Sequence, residues 1–395
     1  MKPLSFRSDR PSEAALRKLS LCAVLVLFLV INSCSTKQNY TEYIDNGVRY
    51  IHNLEPRWGS EPKIELKFVS KYGDINSDDE RYLLLRPADV DVDDEGSVLI
   101  LDAGNHMVKK YDRDGSYLSS FGQKGIGPGE FIGATQMEIC PNGDIVINDL
   151  AVRTINIFDR AGHFVRRINH EGLPPTQILA LGSGEVAAFY QRIVGSGADL
   201  KNRSLVNIFN KEGNLRREFV APRIYADPPT NFWCNSIFLA ADDFDNIYVN
   251  FESQNRIEKY SASGELLFSA DRRLEYPETQ EIEKKQYMYD EGPLIAVSFN
   301  VFSAGIQTDS EGRIWSGTLI RQKNPKDKAS SQEGRREGGR PEDYMLEVFD
   351  SDGILLGRIQ KDFYYGQRFR IKGDRFFLVD RDVEMAVYEY KIMEK

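Results

Sequence analysis

The chain has 395 residues, 41% hydrophobic and 28% charged, with a formal net charge of −9. This balance gives ample material for a large core and excludes a disordered chain. The acidity argues against nucleic-acid binding, which needs a basic face.

In chain order, the N-terminus comes first and reads as a targeting segment. Lys2, Arg7, Arg10, Arg17 and Lys18 precede an apolar run of eleven residues, Leu21 to Ile31. That run is short for a membrane span and fits the apolar part of a signal peptide. Ile31-Asn32-Ser33-Cys34 follows and resembles a bacterial lipobox: an aliphatic residue at −3, a small one at −1, then cysteine. The resemblance implies a signal peptide over 1–33, lipidation at Cys34 and a polar tether over 34–62. Acyl chains bury methylenes in the bilayer and hold a protein there without a spanning helix. Ser35 is not the aspartate typical of inner-membrane retention, so the implied partner is the outer membrane, on its periplasmic or cell-surface side. An uncleaved anchor and an ordinary secreted chain are the alternatives. Cys140 and Cys234 then remain, and without a CxxC or a Cys/His cluster they read as free buried thiols.

The next elements repeat. Tyr111-Asp-Arg-Asp-Gly115, Phe158-Asp-Arg-Ala-Gly162, Phe209-Asn-Lys-Glu-Gly213, Tyr260-Ser-Ala-Ser-Gly264 and Phe349-Asp-Ser-Asp-Gly353 share an aromatic, a small polar residue and a glycine. The glycines lie 47, 51, 51 and 89 residues apart, a period of about fifty with one insertion. Upstream of each is a short strand, a tight turn and a more apolar strand, as in Ala88–Asp102 and Met137–Asp149. Six such units occur, the last being Phe369–Asp380. The pattern predicts an all-β fold, a six-bladed β-propeller of four-stranded antiparallel blades over 63–395. The sixth unit lacks an outer strand, and Lys63–Gly73 has no blade of its own. Pairing the two closes the ring and removes an exposed edge.

The first unit, Arg86 to Phe131, resembles an NHL repeat. The likeness rests on a Pro-led inner strand, Asp102-Ala-Gly-Asn105, the aromatic-Asp-x-x-Gly turn and Gly125-x-Gly-x-Gly-Glu-Phe131. It fades in later units. With the lipobox, the chain resembles six-bladed propeller lipoproteins of Gram-negative bacteria. This implies fold and compartment and says little about chemistry.

Catalytic constellations are scarce. Asp89, Asp91 and Asp93 alternate, but the spacing puts Asp94 and Ile100 where an EF-hand needs glycine and a bidentate acid. Alternating acids on an inner strand can still face the central channel together. The four histidines, His52, His106, His163 and His170, do not sit at matching places in the repeat. Asp102, Asp149, Asn250 and Asp380 recur at one place, the end of the second strand, and read as turn caps. No catalytic residue, metal set or cofactor is assigned.

The inner-to-second and third-to-outer turns are short and share one rim, so the long segments emerge on the other. One of these, Glu278–Tyr289, is predicted to be helical. Loops on a rigid scaffold are the usual place for binding. The candidate ligand residues are Tyr190, Arg192, Tyr225, Phe232, Trp233, Asn235, Tyr287, Arg321, Tyr364 and Arg368. The expected function is a noncatalytic binding or scaffold module for a glycan, a peptide or an envelope protein. The alternative is a metal-dependent, lactonase-like hydrolase or a lyase at the channel mouth.

Overall fold

The structure, a computed structural model, describes residues 38–170, 174–191, 203–276, 283–289, 292–320, 343–360, 368–381 and 383–395. The predicted signal peptide and Cys34 lie outside them. Tyr40–Lys395 forms one compact unit. Among the described residues no helix is long and apolar enough to cross a membrane.

Six antiparallel sheets carry the ring, as the repeat predicts. The first blade is Pro87–Val92, Val98–Asp102, Met107–Tyr111 and Tyr117–Phe121, paired in that order. The second runs from Ala134–Ile139 to Phe164–Asn169, and the third from Gln177–Ala180 to Leu215–Phe219. The fourth runs from Ile237–Ala241 to Leu266–Arg272, and the fifth from Ser303–Thr308 to Leu355–Ile359. The sixth joins Arg368–Lys372, Arg375–Asp380 and Ala386–Glu394 to the N-terminal strand Ile64–Tyr72. Ile64 pairs with Glu394 and Tyr72 with Val387, so the predicted closure is present. The second strands, such as VLILD and IYVNF, are buried throughout, because blades cover both their faces.

The repeat's polar residues build the turns. Asp112 accepts from the backbone N–H groups of Asp114 and Ser116 at 3.0 and 2.8 Å. Asp159 and Asp350 do the same in the second and fifth blades, and the Ser261 hydroxyl accepts from Glu265 N. The glycine that follows has φ between +82° and +92° in all five copies, a region that favours glycine. The charge in these turns is therefore local hydrogen-bonding chemistry on the short-turn rim.

Two segments differ from expectation. Tyr40–Asp45 and Val48–Asn53, read as polar tether, form a hairpin whose second strand pairs in parallel with Leu266–Arg272. The fourth blade thereby becomes six-stranded. Asn53 fixes the junction: it is buried, donates to the Asp271 and Gly353 carbonyls and accepts from Leu355 N. Glu283–Tyr289, predicted helical, is instead a strand paired with Gly292–Ser298. Its Glu, Lys and Gln favour helices intrinsically, but pairing overrides so weak a preference.

Candidate ligand site at the channel mouth

The inner strands alternate, so every second side chain faces the central channel. Most of these side chains bind the next blade. Asp89 accepts from Met137 N at 3.0 Å and Asp91 from Ile139 N at 2.8 Å, both one blade away. Gln136 accepts from Ile178 N and donates to Ile178 O, at 2.8 and 2.6 Å. Gln177 repeats this with Leu239 at 3.0 and 3.1 Å. Gln307 accepts from Ile371 N, while its neighbour Thr308, on the other face of the strand, donates back to Ala241 O of the fourth blade. A girdle of amide and carboxylate bonds thus ties the inner strands together around the channel.

The sixth blade closes the girdle with cations. Arg368 Nη1 lies 2.9 Å from Asp89 Oδ2 and donates to Thr135 O at 3.1 Å. Arg370 Nη2 reaches Glu138 Oε1 at 2.8 Å, Met137 O at 3.0 Å and Asp89 Oδ2 at 3.4 Å. Burial pushes the Glu138 carboxyl above the ordinary range, and the neighbouring Asp91 and Asp89 charges add to this against the pull of Arg370. The same carboxylates keep Arg370 firmly charged in spite of its own burial.

Inside the girdle a cavity of about 300 Å³ opens between five blades. Gln191, Ser236 and Arg381 stand at its edge, Gln136, Gln177 and Gln307 on its wall, and Phe189, Phe238 and Phe369 add apolar surface. Arg368 is the half-open cation here: its side chain is 40% exposed while its partner Asp89 is fully buried. Beside Ser236, burial raises the Glu252 carboxyl, with the Ser236 side chain pulling the other way. Among the described residues no three His, Cys, Asp or Glu side chains group as a metal site.

The residues singled out in the sequence scatter. Arg368 does line the mouth. Tyr190 is buried, its ring edge-on to His170 and Phe209 at 6.2 and 6.4 Å, so it packs between blades. Asn235 is a buried staple: it accepts from Arg223 N and donates to the Arg223 and Asn231 carbonyls. It closes the short helix Pro228–Cys234, which Asp227 caps at the other end. Tyr225 holds that loop through its backbone N–H, bonded to Asn231, and its ring faces Arg223. Phe232 and Trp233 meet edge-on at 5.1 Å, and Trp233 is exposed. The Phe232 carbonyl accepts from Gln191, which brings this loop to the mouth. Tyr287 lies in the strand Glu283–Tyr289, while Arg192, Arg321 and Tyr364 lie outside the described residues.

Sequence reasoning missed Gln136, Glu138, Gln177, Gln307 and Arg370. The signal was present: Gln136-x-Glu138 and Arg368-x-Arg370 repeat the two-residue spacing of Asp89-x-Asp91 on predicted inner strands. The second-strand caps are as expected at Asp102, which accepts from the backbone N–H groups of Leu85, Arg86, Gly104 and Asn105. Asp149 does the same with Ile132, Gly133, Ala151 and Val152, and Asp380 accepts from Val383 N. Asn250 departs from this pattern and donates across to the fifth blade, to Gly305 O and the Ser316 hydroxyl.

No protein-family model and no curated protein matches the chain. Solved structures do. A member of the DUF4221 family from Bacteroides vulgatus superposes with a TM-score of 0.55 at 9% identity, covering 84% of this chain and 99% of its own. A "Putative exported protein" from Bacteroides fragilis gives 0.53 at 12% identity, covering 88% and 99%. A virginiamycin B lyase from Staphylococcus aureus gives only 0.46 at 10% identity, covering 84% and 100%, which is too distant to argue from. By its own strand order, and in agreement with the first two likenesses, the chain is a six-bladed β-propeller.

Proposed function

We propose that the chain is an exported, lipid-anchored propeller that binds without chemistry, taking a glycan, a peptide or a partner protein on its loop-rich face. The ligand's polar end sits in the channel mouth. The lipobox-like Ile31–Cys34 and the NHL-like first blade support compartment and family, and the description of one structural neighbour as exported agrees with them. One observation carries the binding reading: a mouth of about 300 Å³ in which Arg368, while bonded into the girdle, leaves 40% of its side chain exposed. A guanidinium so placed suits a carboxylate on a peptide end or an acidic sugar. Titrating the protein with acidic oligosaccharides and short peptides tests this. Saturable binding, weakened at least tenfold by Arg368→Ala, is expected; equal affinity in wild type and variant overturns it. Loss of acyl labelling and of membrane association in Cys34→Ser tests the anchor separately.

The second reading is a hydrolase or lyase at the same mouth. Its support is Glu252, whose carboxyl burial raises beside Ser236, the direction a general acid needs. Turnover of lactone substrates by wild type, abolished in Glu252→Gln, would establish it over simple binding.

A further inference from the structure

Five of the six seams between blades are filled by large rings. Phe131 and Phe158 fill the seam between the first and second blades, and Phe189, Phe219, Phe251 and Tyr260 that between the third and fourth. Tyr248, Phe268 and Phe349 fill the next, Trp315, Phe369 and Phe376 the one after, and Tyr72, Tyr111 and Phe377 the last. The seam between the second and third blades has a small aliphatic cluster, Val146, Ile155, Ile157 and Ile178, edged by Cys140, Ile168 and Val186, with the buried Tyr190 ring set edge-on to His170 beside it. The repeat's aromatic explains the difference. Tyr111, Phe158, Tyr260 and Phe349 are 0%, 1%, 7% and 1% exposed, whereas Phe209 is half-buried. Its ring stands as one wall of a slot of about 200 Å³.

The slot exceeds the apolar cavity of about 150 Å³ that takes a benzene ring, and on that scale it holds roughly eight carbons. Val146, Ile155, Ile157, Ile168 and Val186 line it together with the Phe209, Tyr190 and His170 rings, and burial, with the Glu138 and Asp144 charges, pushes the Cys140 thiol up to about 12, so that thiol stays uncharged. The slot reaches the short-turn rim at Asn142, Gly184 and Gly213. Two cations stand there. Arg166 Nη2 donates to Lys211 O at 2.7 Å. The Lys211 stem crosses Gly184 so closely that a Cβ there would sit 2.4 Å from Lys211 Cε. Among the described residues no carboxylate pairs with Lys211, and Asp144, the acid on this rim, is bonded to the Asn142 side chain.

We infer that the slot between the second and third blades binds a medium-chain fatty acid, with its alkyl chain between Val146, Ile157 and Phe209 and its carboxylate at Arg166 and Lys211. This site lies on the opposite rim from the channel mouth and does not depend on the binding proposed there. The unit Tyr40–Lys395 contains every blade and both closing strands, so a chain starting at Asn39 keeps the described contacts of the ring. Octanoate, 1-octanol and butyrate are titrated into this protein by calorimetry, with stoichiometry read by native mass spectrometry. One octanoate per chain is expected, bound at least tenfold more tightly than butyrate or octanol. Lys211→Glu should weaken octanoate at least tenfold and leave octanol within twofold. Val146→Phe, which fills the slot, should abolish both; Ala188→Leu on the facing wall serves if that variant does not fold. Absence of octanoate binding, octanol binding as tight as octanoate, or octanoate affinity unchanged in Lys211→Glu or in the filled slot each overturns the inference.

Discussion

Phe158 and Phe209 hold the same place in consecutive repeats, yet Phe158 is sealed against Phe121 and Phe164 at 4.9 and 6.0 Å while Phe209 stands half-buried beside an open slot. Both blades have the same strands and the same capped turn. The difference lies in what the neighbouring strands supply. The loop before the second blade contributes Phe131 to the first seam, whereas the second seam receives Val186 and Ala188 from the third blade. A repeat thus fixes where a ring stands and leaves its packing to residues outside the motif. A closed ring tolerates one loose seam because the girdle around the channel and the other five seams hold the circle.

The largest test of this contrast is truncation. Phe158→Ala should cost about 4 kcal/mol in denaturant unfolding and Phe209→Ala about 1 kcal/mol, since the second site already lacks close packing. Equal costs would break the comparison. Next comes the seam region between the fourth and fifth blades, held by charge. Arg272 is ion-paired with Glu347 in the interior, and Arg358 and Thr318 bond the same carboxylate. Desolvation opposes the ionised Glu347, but Arg272 and Arg358 more than offset it and hold its carboxyl below the ordinary range. A folded value below the unfolded one adds stability above about pH 4.3, lost as pH falls through the folded value. Glu347→Gln should cost roughly 3 kcal/mol at pH 7, because Arg272 stays buried with less compensation. It should also flatten the acid limb of a stability–pH curve. An unchanged acid limb would remove this pair from the account.

A smaller effect has the opposite sign. Ala188→Leu should add about 1 kcal/mol by filling the slot, and a loss of stability would show that the walls cannot accept it. The smallest difference is between turn caps. Asp159→Ala should cost about 1 kcal/mol, since it removes two backbone bonds and the His163 contact. Asn210→Ala removes one side-chain bond, from Asn214 N, and should cost about half as much.

The blades were legible because aromatic, cap and glycine recur at fixed offsets, and the ring closure because an orphan strand matched an incomplete blade. The hairpin Tyr40–Asn53 was not legible. Its first strand is almost wholly exposed, and its stabilising partner, Leu266–Arg272, lies more than two hundred residues away. The candidate site was half legible. Loop aromatics were a poor guide, since loop composition does not say which rings turn inward, as Tyr190 does. The channel residues followed a period of two that was read only at Asp89 and Asp91.

The parallel pairing of Val48–Asn53 with the fourth blade also has a mechanical side. Tension applied from the N-terminus reaches Tyr40–Asp45 and its partner strand before it reaches Ile64–Tyr72, the strand that locks the circle. The hairpin, pinned by Asn53 and the His52–Asp271 pair, therefore acts as a strain relief. A tug on the N-terminal side peels an accessory ribbon first and leaves the closing strand unloaded until that ribbon is gone.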